Sequence, residues 1–366
     1  MIIEDYLYPL CSLICSAIAT AIMMPWLLEL CKKRGLYDMP NERKVHANKI
    51  PRLGGVLFAP ARMIGMSVTL GIMIVTGTHT PPGLKLSAMV IFTGMFLIYC
   101  VGVVDDILGL DAKFKFIVQF ITALFMPLCG LYINDLYGFM GIHEIPMWIG
   151  YPLSIFITLL IVNAINLIDG IDGLASGLGL ISLSVMLVGF LELQVVSYTI
   201  FAAGLIGTVF AFFCFNMFGK EERNTKTFMG DTGSLIIGYA LTFLVFKYAM
   251  NNPNVLPYRA SALLVAYTVL IVPTFDLIRV ALSRLRNGVP IFHADKTHLH
   301  HKFMAAGYSM RATLYWILGM QLAYCATNVV LYKLGVSTTV IIFSNVAVFC
   351  VINILLNKKI KTLQKS

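Results

Sequence analysis

Charge is scarce in this sequence: Asp, Glu, Lys and Arg together make up 12% of its 366 residues, while 58% are hydrophobic and the mean hydropathy is +0.84. A chain so short of polar surface cannot fold around one water-soluble core, so lipid is its solvent and a soluble enzyme is excluded. Tandem repeats, low-complexity tracts and any stretch polar enough for a soluble domain are also missing, which leaves one integral membrane domain over 1–366. Of the eight cysteines only Cys31 lies outside an apolar stretch, and no metal-type or outer-face pair occurs, so disulfides are not expected. The first apolar stretch lacks a small-residue cleavage site and reads as a retained span.

What is present is a series of apolar stretches at 8–30, 54–76, 86–104, 116–133, 147–168, 174–191, 197–216, 234–250, 260–282, 312–332 and 336–356. They predict an all-α, polytopic membrane helix bundle of about eleven transmembrane helices. An odd number puts the termini on opposite faces. With the N-terminus outside, the inner segments hold 21 of the 27 basic residues, so the C-terminus is expected to be cytoplasmic. The net charge of +9 then reflects topology and attraction to anionic lipid and phosphate, and gives no support for nucleic-acid binding.

On this topology the polar clusters all fall on the cytoplasmic side, as a site at the membrane–water interface requires. Asp105 and Asp106 end the third helix, with Lys113 and Lys115 following. Adjacent carboxylates at the hydrocarbon edge call for a cation or a catalytic task, the plainer reading being a solvated helix end. Asn163, Asn166, Asp169 and Asp172 recur at threes as the fifth helix ends, and Gly170 and Gly173 then allow close backbone approach to a ligand. Oxygen ligands of this kind suit Mg²⁺, although capping explains one or two of the four. Gly230 to Ser234 lead into the eighth helix, where Asp231 is either a metal ligand or an N-cap. The segment His293 to His301 includes His298, His300 and His301, whose hydrogen-bond donors fit phosphate better than zinc. A basic segment from Arg43 to Gly55, with Lys44 and His46, could close over a ligand or simply mark an inner loop. Arg62 stands alone inside the second helix, either snorkelling to the inner surface or marking a local difference.

Together VDDILGLDAKFK, NAINLIDGIDGL, FMGDTGSL and DKTHLHHKF resemble the aspartate-pair, Asn-and-Asp, Gly-Asp and histidine motifs of the polyprenyl-phosphate N-acetylhexosamine-1-phosphate transferases, across residues 40 to 305. The histidine loop and the helix number are similar to the WecA and TagO type branch, which uses UDP-N-acetylglucosamine. The resemblance implies transfer of GlcNAc-1-phosphate from UDP-GlcNAc to undecaprenyl phosphate at the cytoplasmic face of a bacterial inner membrane, with Mg²⁺ or alternatively Mn²⁺. It implies Asn166 and Asp231 as metal ligands and Asp105, Asp106, Asp169 and Asp172 as catalytic. Lys113, Lys115, Asn163, His298, His300, His301, Lys44 and His46 would bind substrate. Membrane lipid, and a second copy of the chain as a homodimer, complete the expected partners. Other UDP-N-acetyl sugars remain as donors. An ion-coupled transporter would instead place its polar residues near the bilayer midplane in repeated halves, and the spaced aspartate motifs of CDP-alcohol phosphotransferases or UbiA-type prenyltransferases are not found.

Overall fold

The structure, a computed structural model, describes residues 2–38, 50–77, 86–254, 256–290 and 296–365. Lys44 and His46 lie outside the described residues. The helices are α1 (Ile2–Arg34), α2 (Phe58–Thr76), α3 (Leu86–Leu108), α4 (Ala112–Leu128), α5 (Met147–Ile168), α6 (Leu174–Glu192), α7 (Val196–Phe218), α8 (Gly230–Ala249), α9 (Ala262–Thr268), α10 (Ile271–Arg286), α11 (Leu299–Ala305), α12 (Met310–Lys333) and α13 (Thr338–Leu363). Among the described residues nine helices are long and apolar enough to cross a membrane, or ten when α9 and α10 count as one bent span. The protein is therefore a multi-pass membrane protein. The fourth apolar stretch corresponds to α4, a helix of 17 residues.

Helix α8 is the axis of the bundle. Its apolar window is 89% buried, against 28% for α1, as befits a helix that is hydrophobic all round. Glycines let its neighbours approach: a side chain on Gly238 would press on the Val162 backbone of α5, and one on Gly102 of α3 would strike Thr232. These close approaches bring the end of α3, the end of α5 and the start of α8 to one place.

The ninth apolar stretch is broken, with α9 and α10 meeting at 68°. Pro273 explains the break, because its ring has no N–H and crowds the carbonyl of Val269. Inside a bilayer the freed backbone groups need partners. Gln321 of α12 supplies two of them, donating to Thr268 O (2.8 Å) and accepting from Val272 N (3.2 Å), and Ser182 donates to Val269 O (2.6 Å).

Two short strand pairs accompany the helices of this all-α bundle. Short antiparallel pairs join β1 (Tyr37–Asp38) to β2 (Ile50–Pro51), and β3 (Asp135–Phe139) to β4 (Ile142–Glu144). The second pair needs left-handed backbone at Tyr137, Gly138, Met140 and Gly141, and the Asp135 carboxylate sets the turn by accepting from Tyr137 N (2.6 Å). Arg62 follows the second of its two readings. It does not snorkel: it is 2% exposed, its guanidinium lies over Phe201 (4.6 Å) and Phe92 (5.7 Å), and Met66 and Met95 sulfurs sit 3.2 and 3.3 Å from its terminal nitrogens. Two aromatic faces stand where water would.

Candidate active site

The sequence pairs Asp105 with Asp106, but the fold gives them different neighbours. Asp106 accepts hydrogen bonds from Asp231 N (2.8 Å), Thr232 N (3.0 Å) and Thr232 Oγ1 (2.6 Å), so a residue of α3 caps the N-terminus of α8. Arg52 braces it from Nε and Nη2 (both 3.3 Å) and also donates to Asp105 O. The segment from Pro51 to Gly55 is itself stitched to the loop before α8, through Phe228 N to Pro51 O, Gly54 N to Phe228 O and Gly55 N to Met229 O.

Asp105 faces the other way. Its Oδ1 accepts from Leu110 N (2.6 Å) and its Oδ2 from Lys115 Nζ (2.9 Å), and the same ammonium reaches Asp231 Oδ2 (2.7 Å). Asn166 donates to Asp231 Oδ1 (3.1 Å) and to Ser234 Oγ (2.9 Å). Asp105, Lys115, Asn166 and Asp231, from four separate helices or helix ends, thus form one hub.

Asp169 caps the end of α5 and stands near the hub. Burial, and then the charges of Asp231, Asp172 and Asp106, push its pKa up to about 8. Asp172 is held by Lys226 (2.7 Å) and by Asn216 (3.4 Å), which also accepts from Gly173 N (2.6 Å). Five carboxylates therefore meet three cationic side chains, Arg52, Lys115 and Lys226, among the described residues. With Asp169 protonated at neutral pH the excess is one negative charge, rising to two, the charge of one divalent cation, when that proton leaves.

The donor set fits such an ion. Asp231 and the Asn166 amide offer oxygen only, which suits Mg²⁺ with most of its waters retained. Among the described residues no group of three His, Cys, Asp or Glu side chains is disposed to hold a metal, so the fit is to an ion carried largely by water and substrate.

The histidine turn approaches the same end of α5. His300 is 1% exposed, and a side chain on Gly170, next to Asp169, would collide with its ring. Neither of its ring nitrogens has a hydrogen-bond partner. Burial, with the neighbouring His301, pushes its pKa down to about 3. His298 lies parallel to His300 with centroids 6.1 Å apart, and His301 stacks on His300 at 4.1 Å. Lys302, lowered to about 8 by burial and then by Arg279, donates to Asn353 (3.0 Å).

Two expected residues stay apart from the hub. Lys113 is exposed, and Asn163 donates to Gln119 (2.8 Å) within the bundle. Sequence reasoning missed Lys226, Asn216 and Asp276. The last left a signal, since it is a lone acid in an apolar stretch.

The chain is similar in sequence to known proteins of one kind. Residues 88–249 match the model of glycosyl transferase family 4. The chain is 32% identical over 309 residues to the probable undecaprenyl-phosphate N-acetylglucosaminyl 1-phosphate transferase of Bacillus subtilis, covering 82% of this chain and 78% of that one. It is 28% identical to the undecaprenyl-phosphate alpha-N-acetylglucosaminyl 1-phosphate transferase of Escherichia coli K12, with coverage of 80% and 75%. It is 30% identical to the decaprenyl-phosphate N-acetylglucosaminephosphotransferase of Mycolicibacterium smegmatis, with coverage of 87% and 82%.

Proposed function

We propose that this chain, which belongs to glycosyl transferase family 4 and is a polyprenyl-phosphate sugar-phosphate transferase, moves GlcNAc-1-phosphate from UDP-GlcNAc to undecaprenyl phosphate at the cytoplasmic face of a bacterial inner membrane. The products are undecaprenyl-pyrophosphoryl-GlcNAc and UMP. The observation that carries this reading is the hub in which Lys115 bridges Asp105 and Asp231 beside Asn166, at one end of a lipid-embedded bundle. The donor and acceptor follow from the names of the relatives and from the histidine motif.

An oxygen of the lipid phosphate attacks the β-phosphorus, and the bond from that phosphorus to the oxygen bridging it to UMP breaks. Both reactants are anions, so the protein's work is positioning and charge neutralisation. Mg²⁺ or Mn²⁺, held by Asp231 and Asn166, would neutralise pyrophosphate charge as transfer proceeds. Lys115 can exchange a carboxylate for a phosphate oxygen without leaving its place. Asp105, which shares that ammonium, orients the acceptor phosphate, while Asp106, already committed to α8, holds the Asp231 backbone in register. Asp169 and Asp172 shape the nucleotide side, and His298, His300 and His301 line the phosphate and sugar side.

Purified protein in nanodiscs, given undecaprenyl phosphate, Mg²⁺ and a panel of UDP-N-acetyl sugars, is expected to release UMP fastest with UDP-GlcNAc. Release with no sugar in the panel would overturn the reading, and faster release with another sugar would reassign the donor.

A further inference from the structure

Asp276 lies in α10, on no motif of the site, yet it is 1% exposed and makes a complete set of contacts. Its Oδ2 meets His298 Nδ1 at 2.9 Å. Its Oδ1 accepts from Leu299 N (3.0 Å), in the first turn of α11, and from Arg279 Nη2 (2.7 Å). Arg279 also donates to Thr297 O (2.6 Å), so the acid and its arginine hold the backbone on both sides of His298. Such a carboxylate is an acceptor only, and the ring atom facing it must carry hydrogen. That fixes the tautomer: Nδ1 bears the proton, which leaves the lone pair on Nε2.

The neighbouring histidine makes the contrast. Both nitrogens of His300 are buried and unpartnered, and no carboxylate touches them. One histidine of the turn is wired to an acid and its neighbour is not.

We propose that Asp276 is a positioning residue that holds His298 in the Nδ1–H form and keeps Nε2 available to the substrate phosphates. A carboxylate behind an imidazole favours the imidazolium, whose Nε2–H would donate a hydrogen bond to an anionic phosphate. No covalent bond is made or broken by the pair. The break at Pro273 serves the same end, because it sets the direction of α10 and so of Asp276.

This inference rests on the proposed transferase reading, and two measurements keep them distinguishable. The first needs no turnover. In ¹⁵N-histidine solid-state NMR of the full chain in bilayers, the resonances lost in His298→Gln identify His298. Nδ1 is expected to be protonated in the wild type, and a bare Nδ1 with protonated Nε2 would overturn the proposal whatever the activity.

The second is a double-mutant cycle on UMP release. Asp276→Asn and His298→Gln are each expected to lower kcat/KM about tenfold or more, and the double variant should be no worse than His298→Gln by more than about twofold. Losses that multiply would mean that Asp276 acts independently of His298 and would refute positioning. Elution in detergent and melting temperature establish that Asp276→Asn is folded, and the wild-type NMR result stands even if it is not. Absence of UMP release from the wild type would defeat the transferase reading alone, leaving the tautomer measurement intact.

Discussion

The two ends of the bundle both bury polar side chains, but they treat them differently. At the end away from the hub, Asp135 receives one donor on each oxygen, from Tyr137 N (2.6 Å) and Asn251 Nδ2 (2.8 Å). Asn134 and Asn251 exchange hydrogen bonds, and Tyr137 OH donates to Ala249 O (2.8 Å). Only Asn251 Oδ1 and Arg259 Nε are buried there without partners among the described residues. At the hub end, among the described residues, carboxylates outnumber bases, one ammonium serves two acids, and neither ring nitrogen of His300 has a hydrogen-bond partner. The first arrangement closes a structure. The second leaves polar groups open to a ligand, and that difference is what separates a latch from a site.

The sharpest way to break this comparison is to cut one residue at each end. Asp231→Ala is expected to lower kcat for UMP release by about 10²- to 10³-fold, the scale of losing one preorganised electrostatic group. Asp105→Ala should fall in the same direction, and undiminished turnover in both variants would sink the site. Asp135→Asn should leave turnover within about twofold of wild type.

Metal addition is expected to act at one end only. An ion at 100 times its dissociation constant stabilises the folded state by about 2.7 kcal/mol. Mg²⁺ should therefore raise the melting temperature of wild type and of Asp135→Asn, and should do so much less in Asp231→Ala. Equal shifts in all three would place the ion elsewhere.

The converse holds for stability without metal. Asp135→Asn turns an acceptor of two charge-assisted hydrogen bonds into an amide that cannot satisfy both donors, at a cost of about 1.5–3 kcal/mol. Chemical denaturation in mild detergent measures it, and an unchanged midpoint would show that the far end is no latch.

Much of the fold was legible because lipid leaves few options: each apolar stretch became a helix, or a helix pair, where its composition placed it. The break at Pro273 was hidden because hydropathy does not register a missing N–H. The β3–β4 pair was hidden because its turn depends on local backbone angles. At the site, sequence spacing identified Asp105, Asn166, Asp169 and Asp231, which the fold brings together. It could not tell that Asp106 looks along α8 while Asp105 looks toward Lys115, since adjacent residues carry no record of which helix packs beside them. Nor could it find Lys226 or Asp276, whose meaning lies in partners 54 and 22 residues away.

A further test uses pH and concerns His300. In the folded chain it binds a proton only near pH 3, whereas an imidazole in an unfolded chain does so near 6.5. Between these values the unfolded state holds the extra proton. Stability therefore rises with pH across that window and is lost as pH falls through it. Tyr137 at the far end, pushed up to about 12 by burial and then by Asp135, takes no part in that range. Between pH 7 and pH 4 the His300 contribution runs against that of Asp169, so the metal-free wild type should lose melting temperature toward acid relative to His300→Leu, a variant that keeps the ring's volume against Gly170 approximately filled. An unaltered difference between the two would leave the unpartnered imidazole as a packing element only, because the buried hub carboxylates with raised pKa hold their protons in the folded state and favour it toward acid.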